Sequence, residues 1–258
     1  MSRTAWDDHD WQLVHEPPQS PAMHMALDEV ITDQVSAGQR APTLRVWEWA
    51  SSCVVIGRFQ SLANEVDAGG AHRHGIEVVR RISGGGAMFI EPGNTITYSI
   101  SAPLSMVHGL SFQESYAMMD AWVIDALGSL GIKAWYQPLN DIASEAGKIA
   151  GAAQARRGKA VLHHVTMAYD IDAAKMMDVL RIGREKLSDK GTTSAAKRVD
   201  PLRSQTGMAR EAVIASMIDT FRTRHGLSDD ALRAEDINRA RALIQDKFGH
   251  ARWTGIVP

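Results

Sequence analysis

The chain has 258 residues, of which 45% are hydrophobic and 22% charged, proportions typical of a globular enzyme with a substantial buried core. A formal net charge of −2 argues against a nucleic-acid partner, because nucleic-acid-binding domains usually carry a basic excess. With no signal-peptide pattern, no apolar stretch near the ~18 residues of a membrane span and a single cysteine, we expect a cytoplasmic protein without a membrane partner.

The N-terminal half of the chain predicts one long helix followed by short strands. Ser20 followed by Pro21 is typical of a helix N-cap and first turn, an apolar stripe follows, and Gly38 indicates the end. Apolar or alternating runs then predict strands at 44–47, 53–56, 76–79 and 95–100.

The C-terminal half alternates helices with a long hairpin. The capping-box spacing that starts at Ser111 predicts a helix ending near Gly131, and Asp172 is placed to cap a short helix. The remaining predicted elements are a hairpin of residues 148–155 and 160–169, a helix over 208–221 and a last helix over 237–248. Because hairpins and helices are mixed along the chain, an α+β fold is favoured over a doubly wound parallel sheet.

The segment 80–89 carries three consecutive glycines, Gly84, Gly85 and Gly86, directly after two arginines. Glycine lets backbone amides approach an anion closely, and arginine supplies a fixed cation suited to phosphate. The spacing fits neither a Walker loop nor a dinucleotide-binding fingerprint. Phosphate binding and a flexible loop between strands both remain open on this segment alone.

Two further segments contain polar side chains inside apolar strands. Lys148 lies in a run of small residues that includes Gly151, where a cation needs either a bound partner or a solvent-exposed face. His163 and His164 are adjacent in a strand, so their side chains point to opposite faces and at most one can line a given pocket. A structural role for that histidine remains the alternative.

Together and in this order, these segments resemble the lipoate–protein ligase A family of the biotin and lipoate ligase superfamily. The resemblance covers most of the chain and is carried by these stretches: 45–47, 53–60, 81–87, 93–95, 139–141, 147–154, 163–164, 186–191 and 198–199. It implies a biotin/lipoate protein ligase-like, class II synthetase-like fold, with mixed and antiparallel sheets flanked by helices. It further implies a catalytic domain over 1–227 and a helical tail over 228–258, without the small accessory domain of longer members.

Proteins of this family adenylate lipoate with ATP and pass the acyl group to a carrier lysine. By match to the motifs, Lys148 would be the catalytic residue that contacts the α-phosphate and the activated carbonyl. The residues expected to bind ATP or the acyl-adenylate are Arg81, Gly84, Gly85, Gly86, Ala87, Asn94, Asp141, Lys148, Gly151 and His164. Lys186 and Arg198 match a loop that covers the adenylate, and Asp141 is a candidate ligand for Mg²⁺.

The resemblance also implies partners and leaves alternatives. The expected carriers are the lipoyl domains of 2-oxoacid dehydrogenases and the glycine-cleavage H protein, and a separate accessory protein is expected if the missing domain is needed. Related octanoyl or lipoyl transferases act without ATP through a cysteine thiol, and Cys53 is the only cysteine here. It lies in an apolar strand, where cysteine usually acts as a small hydrophobe.

The chain departs from the family motif at one point. It has Ile90-Glu91 where the family often has His-Asp, which weakens any acid–base role at that position.

Other functions fit the residues less well. A carrier-binding relative without catalytic activity remains a further alternative. A biotin protein ligase fits less well, because the arginine-rich glycine loop of that class is absent.

Overall fold

The computed structural model describes residues 6–181 and 199–258 of the chain. Its strands are, in chain order, β1 (Gln12–His15), β2 (Thr43–Trp47), β3 (Cys53–Ile56), β4 (Glu77–Arg80), β5 (Met88–Ile90), β6 (Thr95–Pro103), β7 (Ala134–Gln137), β8 (Asp141–Ser144), β9 (Gly147–Arg157), β10 (Ala160–Ala168) and β11 (Ser228–Asp230). Its α-helices are α1 (Pro21–Ser36), α2 (Leu62–Glu65), α3 (Ala68–Arg73), α4 (Phe112–Ser129), α5 (Ala173–Val179), α6 (Leu202–Thr206), α7 (Arg210–His225), α8 (Ala234–Leu243) and α9 (Ala251–Thr254). A 3-10 turn (Leu104–Val107) and a π turn (Ile244–Phe248) complete the described elements.

The strands form two sheets. The larger has eight strands in the order β11-β1-β2-β6-β10-β9-β8-β7, and the smaller has three in the order β4-β3-β5. In the large sheet β1 runs parallel to both β11 and β2, whereas the pairs from β2 to β7 are antiparallel. In the small sheet β3 is parallel to β4 and antiparallel to β5. The predicted α+β class with mixed sheets flanked by helices is confirmed.

Helices cover both faces of the large sheet. Helices α4 and α7 pack with one face of it in the main hydrophobic core, which includes Trp122 and Phe221. Helix α1 packs on the other face, between that sheet, the small sheet and α8. Helices α3 and α5 cover the small sheet, where Val179 is fully buried. No helix among the described residues is long and apolar enough to span a membrane.

Three of the predicted helix starts are confirmed by their cap hydrogen bonds. The Ser20 side chain accepts a hydrogen bond from the Met23 amide at the start of α1, and Ser111 and Glu114 form the complete capping box of α4. Asp172 caps α5 in the same way. These positions form helices because a side-chain oxygen satisfies an amide that the helix itself leaves unpaired.

Other details of the predicted secondary structure are wrong. Five strands, β1, β5, β7, β8 and β11, were not predicted at all. The sequence predicts a single buried apolar stripe along α1, but 14 of the 16 residues of this helix are buried. The helix lies between two sheets and α8, so its polar residues are buried as well as its apolar ones.

Candidate active site

The glycine-rich loop connects β4 to β5 and is organised by Arg81. The Arg81 guanidinium donates to the carbonyl oxygens of Gly84 and Gly86, at 2.6 and 2.8 Å from Nη2, and to that of Val55 at 3.3 Å from Nη1. Its Nε donates to the Ser83 hydroxyl at 3.1 Å. Burial lowers the pKa of Arg81 to about 10, so the side chain remains charged at neutral pH. Every nitrogen of this predicted phosphate ligand therefore already has a protein acceptor.

The loop also packs against the turn after β3, where only glycine fits. A Cβ atom on Gly57 would lie 2.3 Å from the Gly85 carbonyl oxygen and 3.2 Å from the Gly84 carbonyl carbon. Gly85 itself has a φ of +86°, a conformation that favours glycine. The first arginine of the motif, Arg80, donates to the carbonyls of Gly57 and Thr254 and does not face the cavity described below.

Lys148 lies at an irregularity between β8 and β9. Its Nζ is 2.6 Å from Oδ1 of Asp141, and its side chain is 34% exposed. A Cβ on Gly151 would lie 3.2 Å from Nζ and 3.5 Å from Cε, so the missing side chain of this glycine makes room for the lysine. The interpretation of Lys148 as an ordinary solvent-facing lysine does not account for this packing.

Six of the predicted site residues line a single cavity between the loop and the large sheet. They are Arg81, Gly86, Ala87, Lys148, Gly151 and His164. The cavity also includes Asn140 and three small or flexible apolar residues, Met88, Ala152 and Ala153. Its volume is about 70 Å³, room for a few water molecules but well below the ~300 Å³ of typical small-molecule sites. The cavity therefore has room for only part of a nucleotide or an acyl chain.

The other predicted site residues lie outside the cavity lining. Gly84 and Gly85 belong to the loop but do not line the cavity, and Asp141 is adjacent through its ion pair with Lys148. Asn94 lies in the turn before β6, where its amide donates to Glu91. The described residues contain no group of three or more histidine, cysteine or acidic side chains placed to hold a metal ion. Lys186 and Arg198, predicted to cover the adenylate, lie outside the described residues.

His164 connects the cavity to a buried chain of polar groups. Its Nε2 is 2.6 Å from the Ser83 hydroxyl, and its Nδ1 is 2.8 Å from Oδ2 of Asp28 on α1. The other Asp28 oxygen accepts from Arg45 at 2.7 Å, and Arg45 contacts His24 at 3.0 Å. The sequence did not single out Asp28 or the role of Ser83. A usable signal was present, because Asp28 follows His24 by four residues and the two therefore lie on the same face of α1.

His163 points to the opposite face of the sheet, as the alternation of a strand requires. Its Nε2 is 2.8 Å from Oδ1 of Asp120, and its Nδ1 is 3.1 Å from the Gln154 amide. All three side chains are buried between α4, which contains Asp120, and the large sheet. His163 is therefore a structural histidine, whereas His164 is the one that reaches the cavity.

The single cysteine is remote from this chemistry. Cys53 lies in the middle of the small sheet with no exposed surface, and it does not line the cavity. Burial raises the pKa of its thiol well above the ordinary value. A thiol in this position is neither ionised nor accessible to a substrate.

Known proteins match this chain over most of its length. Residues 20–222 match the family model described as the lipoyl protein ligase A/B catalytic domain. The octanoyltransferase LipM of Exiguobacterium sp. is 29% identical over 213 residues, which cover 73% of this chain and 76% of that protein. Lipoate-protein ligase A subunit 1 of Thermoplasma acidophilum is 28% identical over 253 residues, which cover 93% of this chain and 94% of that protein.

Solved structures show the same fold. A bipartite lipoate protein ligase from Thermoplasma acidophilum, studied with its E2 lipoyl domain, has a TM-score of 0.82 and 27% identity, and the match covers 97% of both chains. A lipoate-protein ligase A with bound ATP has a TM-score of 0.81 at 24% identity, over 97% of this chain and 99% of that one. The resemblance inferred from the motifs is thereby confirmed, and the chain belongs to the lipoyl protein ligase A/B catalytic-domain family.

Proposed function

We propose that this protein adenylates lipoate or octanoate with ATP and transfers the acyl group to a lysine of a lipoyl carrier domain. Family membership supports either a ligase or a transferase, so the choice between the two activities depends on the residues of this chain. The observation that supports the ligase is the position of Cys53, fully buried in the small sheet and away from the cavity. Without an accessible thiol the acyl group needs another form of activation, and ATP supplies it as a mixed anhydride.

Lys148 and the glycine-rich loop provide what the first half reaction requires. The substrate carboxylate attacks the α-phosphorus of ATP, an acyl-phosphate bond forms, and the bond to pyrophosphate breaks. Charge grows on the phosphoryl oxygens, and a fixed ammonium with backbone donors stabilises it most effectively in a site shielded from water. The Lys148 ammonium is held at the cavity by Asp141. Gly86 and Ala87 line the cavity and Gly84 and Gly85 belong to the same loop, so the loop amides are the proposed backbone donors.

The second half reaction uses the same groups. The amine of a carrier lysine attacks the acyl carbonyl, the carbonyl–phosphate bond breaks, and AMP leaves. Lys148 polarises the carbonyl oxygen in this step, while Arg81 keeps the loop carbonyls turned toward its own guanidinium and away from the anion. His164 holds the loop from the other side of the cavity. Asn94 acts at a distance, by fixing the turn that leads into β6.

Magnesium enters this proposal with the nucleotide. Mg²⁺ is commonly held by one or two carboxylates together with substrate phosphates and water, rather than by a full set of protein ligands. Asp141 lies beside the Lys148 ammonium, so its carboxylate is the proposed ligand for a metal that arrives with the triphosphate. When bound, Mg²⁺ would neutralise the charge of the phosphates and of the leaving pyrophosphate.

The partners follow from the second half reaction. The bipartite ligase of Thermoplasma acidophilum was studied with its E2 lipoyl domain, which supports a lipoyl domain as the acceptor here. The lipoyl domains of 2-oxoacid dehydrogenases and the glycine-cleavage H protein are the proposed carriers. The bipartite form also supports a requirement for a separate accessory protein. The cytoplasm is the proposed location of the reaction.

The second candidate is ATP-independent octanoyl transfer, which relatives named octanoyltransferase LipM favour. Both activities are distinguished by measuring pyrophosphate release with ATP and lipoate or octanoate, beside acyl transfer from an octanoyl thioester without ATP. We expect pyrophosphate release that depends on added lipoate or octanoate, and no acyl transfer from the thioester.

Matched variants test the residues in the same assay. Lys148→Ala should lower the adenylation rate by on the order of 10²-fold or more, as removal of a preorganised transition-state donor does. Lys159→Ala, which removes an exposed lysine from the turn of the same hairpin, is the control and should leave the rate unchanged. Cys53→Ala should retain the activity. Thioester transfer without ATP that disappears in Cys53→Ala would refute the proposed ligase.

A further inference from the structure

A continuous line of hydrogen bonds joins the centre of α1 to the glycine-rich loop. Arg45 donates to Asp28 at 2.7 Å, Asp28 contacts Nδ1 of His164 at 2.8 Å, and Nε2 of His164 contacts the Ser83 hydroxyl at 2.6 Å. None of the four residues is more than 6% exposed. The line therefore links α1, strands β2 and β10 of the large sheet and the glycine-rich loop through the protein interior.

The chemistry of the groups fixes the direction of each hydrogen bond. Burial alone would raise the pKa of Asp28, but the charge of Arg45 and the contact with His164 outweigh it, so the pKa lies below its usual range and the group is a carboxylate. Burial lowers the pKa of His164, so its ring is neutral. A carboxylate only accepts, so the single ring proton is on Nδ1 and Nε2 accepts from Ser83. The Ser83 oxygen accepts in turn from Nε of Arg81.

Serine, histidine and aspartate in this order also form the catalytic unit of many hydrolases. Here the serine is not placed to attack a substrate. Its side chain is 1% exposed, it does not line the cavity, and its oxygen is already the acceptor of the Arg81 donor. The line of hydrogen bonds ends on the arginine that gathers the loop carbonyls, and so it ends on the loop rather than on a reacting atom.

We propose that His164 is a positioning residue, whose neutral ring, oriented by Asp28, holds Ser83 and thereby fixes Arg81 and the glycine-rich loop in the conformation that receives the anionic substrate. This inference rests on the proposed adenylation reaction for its effect on rate. The orientation of the ring and its single protonated nitrogen are independent of that reaction.

Two substitutions at His164 test the roles of its two ring nitrogens separately. In His164→Asn the amide nitrogen can replace Nδ1 as the donor to Asp28, but no acceptor remains for Ser83. In His164→Gln the amide oxygen can reach the position of Nε2 and accept from Ser83, while the contact with Asp28 is lost. The first variant should keep its melting temperature but lose about 10- to 100-fold in kcat/KM for ATP, the scale of a misplacement of about 1 Å. The second should melt at a lower temperature but stay within about threefold of the wild-type kcat/KM, because its loop contact remains.

The neighbouring histidine supplies a matched control. His163 has an equivalent buried carboxylate partner, Asp120, but faces away from the cavity. His163→Asn and His163→Gln should both lower the melting temperature, and the two variants should not differ from each other in kcat/KM. Ser83→Ala removes the link to the loop without changing the histidine, and it should show the same loss of about 10- to 100-fold in kcat/KM. It replaces His164→Asn in the test if that variant does not fold.

A measurement without substrate completes the test. Nitrogen NMR of protein labelled at histidine should show His164 protonated on Nδ1 only at neutral pH. A ring protonated on Nε2, or on both nitrogens, overturns the proposal, as do His164→Asn and His164→Gln variants that lose activity to the same extent or not at all. Wild-type protein with the expected ring but no pyrophosphate release would instead refute the adenylation reaction, and the positioning role would then be read from thioester transfer in the same variants.

Discussion

Replacing Gly57 with alanine should disable the site without unfolding the protein. The added Cβ would lie 2.3 Å from the Gly85 carbonyl oxygen, whereas ordinary contact begins at 3.4 Å, so the glycine-rich loop must move by about 1 Å. The atoms that it meets are backbone atoms of Gly84 and Gly85, which cannot rotate away as a side chain can. Such overpacking typically costs about 1–3 kcal/mol of folding stability.

The effect on the reaction should exceed the effect on stability. A displacement of about 1 Å in a positioning element can reduce the rate about 10²-fold, and we expect this loss in pyrophosphate release by Gly57→Ala. Urea unfolding of the same preparation measures the stability.

A glycine elsewhere provides the control. A Cβ on Gly128, near the end of α4, meets nothing within 4 Å, so Gly128→Ala should keep full activity and gain about 0.5–1 kcal/mol. If Gly57→Ala releases pyrophosphate at the wild-type rate, the close approach of turn and loop has no role in catalysis, and the reasoning is refuted.

Three further predictions concern the same region. Gly151→Ala places a Cβ 3.2 Å from the Lys148 Nζ and should slow adenylation several-fold, with Gly151→Val slower still in the same pyrophosphate assay. Arg45→Met leaves the buried Asp28 carboxylate without its cation and should lower the free energy of unfolding by about 3–5 kcal/mol in urea titrations. Burial is the main cause that lowers the pKa of His24 to about 3. Its unfolded-state pKa is about 6.5, so the unfolded chain binds the extra proton between these values and stability falls as the pH drops from 6.5 to 3, by up to about 1.4 kcal/mol per unit. His24→Gln should remove this part of the pH dependence.

Features of the fold that depend on local chemistry were predictable from the sequence. Ser20 and Ser111 begin helices because each supplies a cap to the residues directly after it, and no distant contact is needed. The long hairpin of β9 and β10 follows in the same way from two apolar runs around a short turn. Strand β11, Ser228–Asp230, was not predictable, because serine and aspartate do not favour strands and the segment is extended only where it pairs with β1.

The site shows the same division. The motif identified Lys148 and His164 as cavity residues, and both line the cavity. The role of Arg81 depends on which way the carbonyls of its own loop turn, and that orientation is set by the tertiary structure. Asp28 was overlooked because an Asp-Glu pair in a helix is typical of an exposed face, whereas α1 is buried between two sheets.

The order of the large sheet has a consequence for synthesis on the ribosome. Strand β1 is translated long before one of its two neighbours, β11, which is formed by Ser228–Asp230. Until those residues leave the exit tunnel, one edge of β1 has no backbone partner, and the face of α1 that α8 later covers stays open to solvent. Unpaired strand edges and uncovered apolar faces promote aggregation. The nascent chain therefore passes through a vulnerable interval that lasts until β11 and α8 have been translated.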